Sequence, residues 1–124
     1  MSLLLDAHVV LWWLFGLPIR DEAQSAIGDP LNRLVVSVSA IWEIEIKRRV
    51  GRLSAPDDLL GALDAASFEI LPIYAEHAVT AGRLPLHHGD PFDRMLVAQA
   101  QRERLTLVTR DERLASYDIP ILVA

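Results

Sequence analysis

The chain has 124 residues, no cysteine, 52% hydrophobic residues and a formal net charge of −5 with histidine neutral. That length accommodates one domain with a real core and is too short for two of ordinary size, so residues 1–124 are expected to form a single domain. Disulfides and thiolate metal sites are excluded, a reducing compartment such as the cytoplasm fits, and the acidic balance argues against a module that holds nucleic acid by phosphate attraction alone.

The opening MSLLLD has no basic region ahead of its apolar run and no small-residue cleavage pattern behind it, so a secretory signal is not expected. SLLLD reads as a short buried strand. AHVVLWWLFG has the length of a helix and ends in stop signals at Gly16 and Pro18. That helix is apolar on nearly every side, which calls for burial all round and places Trp12, Trp13 and Phe15 either in the core or on a partner surface. No apolar stretch is long and uninterrupted enough to span a bilayer.

RDEAQSAIGDP reads as a short helix, RLVVSVS as a second strand, and AIWEIEIKRRVGRL as the following helix with Ser39 as its N-cap. APDDLLGALDAA is a further helix, SFEILPI a third strand, and YAEHAVTAGRLP a helix closed by Gly82 and Pro85. In HHGDPFDRMLVAQA, Asp90 followed by Pro91 marks a helix start, because a carboxylate accepts free backbone N–H groups and proline has none to lose. LTLVT is a fourth strand, RDERLASY a helical turn and IPILV a last strand. Strands alternating with helices predict a three-layer α/β/α fold whose central, mainly parallel sheet is covered on both faces.

In such sheets ligands bind beyond the carboxyl ends of the strands. Asp6 ends the first strand, Asp111 lies just past LTLVT, and Glu43 is in the first turns of the helix after the second strand. Asp93 begins a helix that feeds a strand. Asp6 and Asp111 fit equally well as N-caps, and Asp93 as a first-turn acid favoured by the helix dipole. Glu43 is harder to explain away: it is one residue too late for a capping box with Ser39. On the helical wheel it falls among Ala40, Ile44, Ile46 and Val50, with Lys47 one turn on. Glu45, on the opposite side, pairs with Arg49 as a solvated i,i+4 couple. Asp93 likewise shares a face with Leu96, Val97 and Ala100.

Converging carboxylates repel: two unit charges ~4 Å apart cost about 4 kcal/mol at an effective dielectric near 20. Lys47 offsets part of this. Oxygen-only donors suit Mg²⁺ or Mn²⁺ for the rest, which points to hydrolytic phosphodiester chemistry, with purely structural caps as the alternative. Protonation of ordinary carboxylates predicts loss of metal and activity below about pH 5.

The stretches LLLDAHVVLWWL, SVSAIWEIEIKRRVGRL, HHGDPFDRMLVAQA and LTLVTRDERLASY, in that order and over nearly the whole chain, resemble the PIN-domain ribonucleases and, within them, the VapC-type toxins of bacterial toxin–antitoxin pairs. The resemblance implies an acidic site at Asp6, Glu43, Asp93 and Asp111, with Asp6 and Asp93 holding Mg²⁺ or Mn²⁺. It also implies cleavage of single-stranded RNA by a metal-activated water, a homodimer, and a cognate antitoxin whose C-terminal segment occupies the toxin groove. Asp93 answers to the third acid of the family, with Asp90 as cap and outer assistant.

Around these acids, Ser39 and Thr109 are candidate supporting hydroxyls, and Arg94 and Arg110 candidate phosphate contacts. KRRVGR is the densest basic cluster; Arg48, Arg49 and Arg52 read either as a solvated face or as a track for RNA phosphates or antitoxin acids. His8, His77, His87 and His88 show no metal-ligand spacing and read as structural or surface residues, with His87 or His88 near enough to the crevice to touch substrate. A Mg²⁺-dependent DNA nuclease or phosphatase on a similar sheet, and a non-catalytic binding module, are the competing readings.

Overall fold

In the computed structural model, which describes residues 1–124, five short strands and six helices alternate along the chain. The elements are β1 (Ser2–Leu5), α1 (Ala7–Leu14), α2 (Asp21–Gly28), β2 (Arg33–Ser37), α3 (Val38–Arg49), α4 (Leu59–Ala65), β3 (Glu69–Leu71), α5 (Ala75–Arg83), α6 (Pro91–Glu103), β4 (Thr106–Thr109) and β5 (Ile121–Val123), with a 3₁₀ turn over Glu112–Ser116 before the last strand. All four strand pairings are parallel, in the order β3-β2-β1-β4-β5. The sheet is wholly parallel rather than mainly so.

The apolar runs are continuous because both sheet faces are covered, and the pleat sends successive residues to opposite sides. Leu3 and Leu5 of β1 join Val36 and Val108 in one core, with Val9, Val10, Ile44 and Leu63. Leu4 joins Val35 and Leu107 in a second core, with Leu96, Val97 and Leu114. The first core lies under α1 to α4 and the second under α5 and α6, which gives the expected three layers.

The chain winds outward from β1 through β2 to β3, then returns to the other side of β1 for β4 and β5. Such a reversal opens a crevice where loops leave neighbouring strands in opposite directions. Asp6 follows β1 and Asp111 follows β4, and these strands pair from Leu3↔Thr106 to Leu5↔Val108. The ladder therefore brings both acids to the same edge.

Three local expectations are corrected. β2 stops at Ser37, whose Oγ accepts the Ser39 backbone N–H at 3.0 Å, so Ser37 and not Ser39 caps α3. A hydroxyl preceding the first turn competes with strand pairing and wins there. Glu45 pairs with Arg48 at 2.7 Å instead of Arg49, since i+3 is as close as i+4 on a helix surface. Helix α1 is not buried all round either: Ala7, Val9, Val10 and Leu11 are buried, Trp12 and Trp13 pack only partly against the core, and Phe15 just beyond is 47% exposed. No helix is long and apolar enough to cross a membrane.

Candidate metal centre

Three of the acids at the crevice are helix caps, placed there by the chain reversing out of a strand or loop. Asp6 accepts the Val9 N–H at 2.9 Å, Asp90 accepts from Phe92 at 2.8 Å and Asp93 at 3.4 Å, and Asp111 accepts from Arg113 at 3.0 Å. In each of these bonds a single Oδ1 atom does the capping. Capping and site roles are thus compatible in one side chain.

Glu43 and Asp93 have no capping duty. With Ser37 as the cap, the reciprocal position of a capping box falls on Ala40, so Glu43 lies a full turn beyond it. Glu43 is buried beside Ala40 and Ile44, as the wheel predicts, whereas Ile46 and Val50 are 40% and 62% exposed. Lys47 Nζ donates to Glu43 Oε2 at 2.6 Å. Asp93 sits on the first turn of α6 with only 22% of its side chain exposed.

Asp6, Glu43, Asp90, Asp93 and Asp111 line one cavity of about 210 Å³ together with Lys47, Arg110, His8 and Trp12. Desolvation and the neighbouring carboxylates, Asp90 before Asp6 and Glu43, raise the Asp93 carboxyl from its ordinary value of 3.8 to about 7. Burial also raises Asp6, opposed by a hydrogen bond from Thr109 and by the Val9 N–H. Asp111 goes the other way: the Arg113 guanidinium, hydrogen-bonded to both its oxygens, holds it well below the usual carboxylate range. A larger groove of about 640 Å³ runs along α5 and α6, but its lining has a single acid, Glu76, beside Arg83 and Arg102. Concentrated negative charge marks the smaller cavity as the chemical one.

Thr109 is fully buried, its hydroxyl bonded to Asp6 and its Oγ1 accepting the Asp111 N–H at 3.1 Å. It ties together the acids that follow β1 and β4. Arg110 lies over the Trp12 ring, 3.9 Å from its centroid, at the cavity mouth. Ser39 is buried on α3 outside the cavity lining. Arg94 is also absent from that lining: its Nη atoms donate to the carbonyls of Ala81, Leu84, Pro85 and His88. The guanidinium is engaged by the loop before α6 and does not face the acids. Arg48 is similarly occupied, bonded to the carbonyls of Ala55 and Pro56.

His88, expected near the crevice only as a structural residue or a substrate contact, meets the acids themselves. Its Nε2 lies 3.1 Å from Asp111 Oδ2 and 3.5 Å from Asp93 Oδ2, and the three groups fall within 4.8 Å of one another. Position 88 precedes the capping aspartate by two residues, and no periodicity signals what it meets 23 residues later.

An all-parallel sheet with carboxylates gathered at its switch point defines a class, and comparison gives the family. The PIN domain matches residues 3–120, and the chain belongs to that family. Within it, the chain is 30% identical to ribonuclease VapC22 of Mycobacterium tuberculosis over 122 residues, covering 96% of this chain and 94% of that protein. Its fold is similar to VapBC2 from Rickettsia felis bound to a promoter DNA fragment, with TM-score 0.72, 16% identity, and 99% and 98% of the two chains covered. It is also similar to a toxin–antitoxin complex from Klebsiella pneumoniae, with TM-score 0.66, 21% identity, and 98% and 96% covered.

Proposed function

We propose that this protein is a divalent-metal-dependent endoribonuclease toxin, acting in the cytoplasm as a homodimer and neutralised by a cognate antitoxin. The observation that carries the reading is the crowding of five carboxylates around one small cavity, with Asp93 pushed to about 7. The ribonuclease relative and the toxin–antitoxin character of the structural neighbours support the substrate and partner classes.

The donor set fits Mg²⁺ or Mn²⁺: hard oxygen ligands predominate, and the excess negative charge is what a divalent cation relieves. Asp6 and Asp93 would hold it. When bound, it supplies Lewis acidity toward a phosphate oxygen and lowers the pKa of a coordinated water. Glu43, buried and charge-balanced by Lys47, orients the attacking water and accepts its proton. Asp111 completes the acidic wall, while Thr109 keeps Asp6 and Asp111 in register. Arg110 offers the cavity mouth a cation for the phosphate backbone.

The testing experiment is cleavage of a mixed cellular RNA pool by purified protein with Mg²⁺ or Mn²⁺, alongside flap DNA and a phosphomonoester. Metal-dependent cutting of RNA alone is expected. Preference for either other substrate, or activity that survives a chelator, would sink the reading.

A further inference from the structure

His88 is a hydrogen-bonding side chain placed beside both Asp93 and Asp111, and its tautomer can be read from its partners. Nδ1 accepts the backbone N–H of Asp90 at 3.1 Å. A ring nitrogen that accepts a backbone N–H carries no proton, so the ring proton is on Nε2, the atom that faces Asp93 Oδ2 and Asp111 Oδ2. The side chain is only 9% exposed.

The loop carrying it is held from several directions. The His88 N–H donates to the Tyr117 hydroxyl at 3.1 Å, and that hydroxyl donates to the Pro85 carbonyl at 2.9 Å. Arg94 binds the carbonyls of Pro85 and His88 at 3.0 and 3.3 Å. These bonds account for the engagement of Arg94 away from the acids. They fix the backbone on either side of one imidazole.

The geometry points to His88 as a positioning residue of the acidic centre rather than a metal ligand: its Nε2–H donates to Asp111 Oδ2 at 3.1 Å and lies 3.5 Å from Asp93 Oδ2, so it holds Asp111 beside Asp93. This rests on the metal-dependent reading above. An imidazole with Nδ1 taken by a backbone N–H can ligate through Nε2 only by losing its remaining proton, which makes coordination unfavourable while that bond holds. As a donor it has a definite task. Asp111 is drawn toward solvent by Arg113, whose side chain is 75% exposed and bonds both carboxylate oxygens. His88 provides the opposing contact from the loop before α6, donating to the acid after β4 and lying 3.5 Å from the acid on α6.

Two measurements on the full-length protein test this. In long-range ¹H–¹⁵N spectra of the metal-free protein, His88 is expected with its proton on Nε2, and that pattern should persist at saturating Mg²⁺. Mn²⁺ titration calorimetry should show His88→Ala weakened by about tenfold or more, as loss of groups supporting metal ligands typically does. His88→Gln, which keeps an N–H donor near the Nε2 position, should recover most of that loss. A proton on Nδ1, a metal-bound Nε2 resonance, or His88→Ala binding Mn²⁺ like wild type would each overturn the inference. Wild type that binds no Mn²⁺ would sink both the metal reading and this inference, whereas wild type that binds normally with His88→Gln as weak as His88→Ala would sink the inference alone.

Discussion

Lys47 Nζ and Glu43 Oε2 meet at 2.6 Å, one turn apart on α3, with 27% of the lysine side chain and 7% of the glutamate side chain exposed. The glutamate is the buried member, and the lysine is its hydrogen-bond partner. We predict that Lys47→Met destabilises the metal-free protein by about 1–3 kcal/mol, the range for a buried polar group left unsatisfied. Urea unfolding in a chelator measures it, and an unchanged midpoint would show that the pair carries little. Glu43→Gln should instead cut RNA cleavage by about 10²–10⁴-fold while leaving stability nearly intact.

Asp93 imposes a pH dependence on the metal-free fold. Its folded value of about 7 exceeds the ordinary 3.8, so the folded state binds the extra proton between those values. The associated stability is fully present below about 3.8 and is lost as pH rises through about 7. Burial acts on Asp6 in the same direction. The pull of Arg113 on Asp111 has the opposite sign and contributes above the ordinary value. Metal-free wild type should therefore unfold at higher urea at pH 5 than at pH 8, and Asp93→Asn should flatten that difference. A wild-type midpoint that rises over this range would contradict the assigned burial of charge.

The same shift moves the acid limb of activity upward from the value of about 5 that ordinary carboxylates predict. With Asp93 at about 7 in the metal-free protein, Mn²⁺ must displace a proton near neutrality. The binding enthalpy at pH 7 should vary with the ionisation enthalpy of the buffer. Identical enthalpies in phosphate and Tris would indicate an already ionised site.

Asp90 and Asp93 separate by substitution. Asn is as good an N-cap as Asp, so Asp90→Asn keeps the Phe92 and Asp93 N–H contacts and removes the nearest repelling charge on Asp93. We predict that Asp90→Asn cuts RNA with its acid limb displaced to lower pH, and that Asp93→Asn does not cut. Equal cutting by both variants would remove Asp93 from the chemistry.

Arg110 stacks on Trp12 at the mouth of the acidic cavity. If it meets the RNA backbone, Arg110→Ala should raise KM and spare kcat. A contact of about 0.5–1 kcal/mol corresponds to roughly two- to fivefold in KM. A fall confined to kcat would place Arg110 in the chemical step instead.

The chain order of the elements was legible because strands and helices differ in the period of their apolar residues, and because Asp90-Pro91 and Gly82 with Pro85 are local stop and start signals. Glu43 could be singled out for the same reason: its inward direction follows from Ala40 and Ile44, its buried neighbours on the same helix. The misplaced cap at Ser39 and the misassigned partner of Glu45 are errors of one or two residues, the scale on which hydroxyls and salt-bridge geometries compete nearly evenly.

Long-range placement was not legible. Arg94 lies beside an acid in the chain, yet its guanidinium meets carbonyls 6 to 13 residues back. His88 reaches Asp111 across 23 residues, and Thr109 joins Asp6 across the sheet.

What the sequence by itself determined is therefore the alternation, the two-sided apolar strands and the set of acids at strand ends and first helical turns. All of these arise from hydrophobic period and capping within a few residues. What only the tertiary structure decided is the strand order β3-β2-β1-β4-β5, the contact of His88 with Asp111, and the raised Asp93 value. Each of these depends on which distant segments pack together, and so on fields and hydrogen bonds that no local pattern encodes.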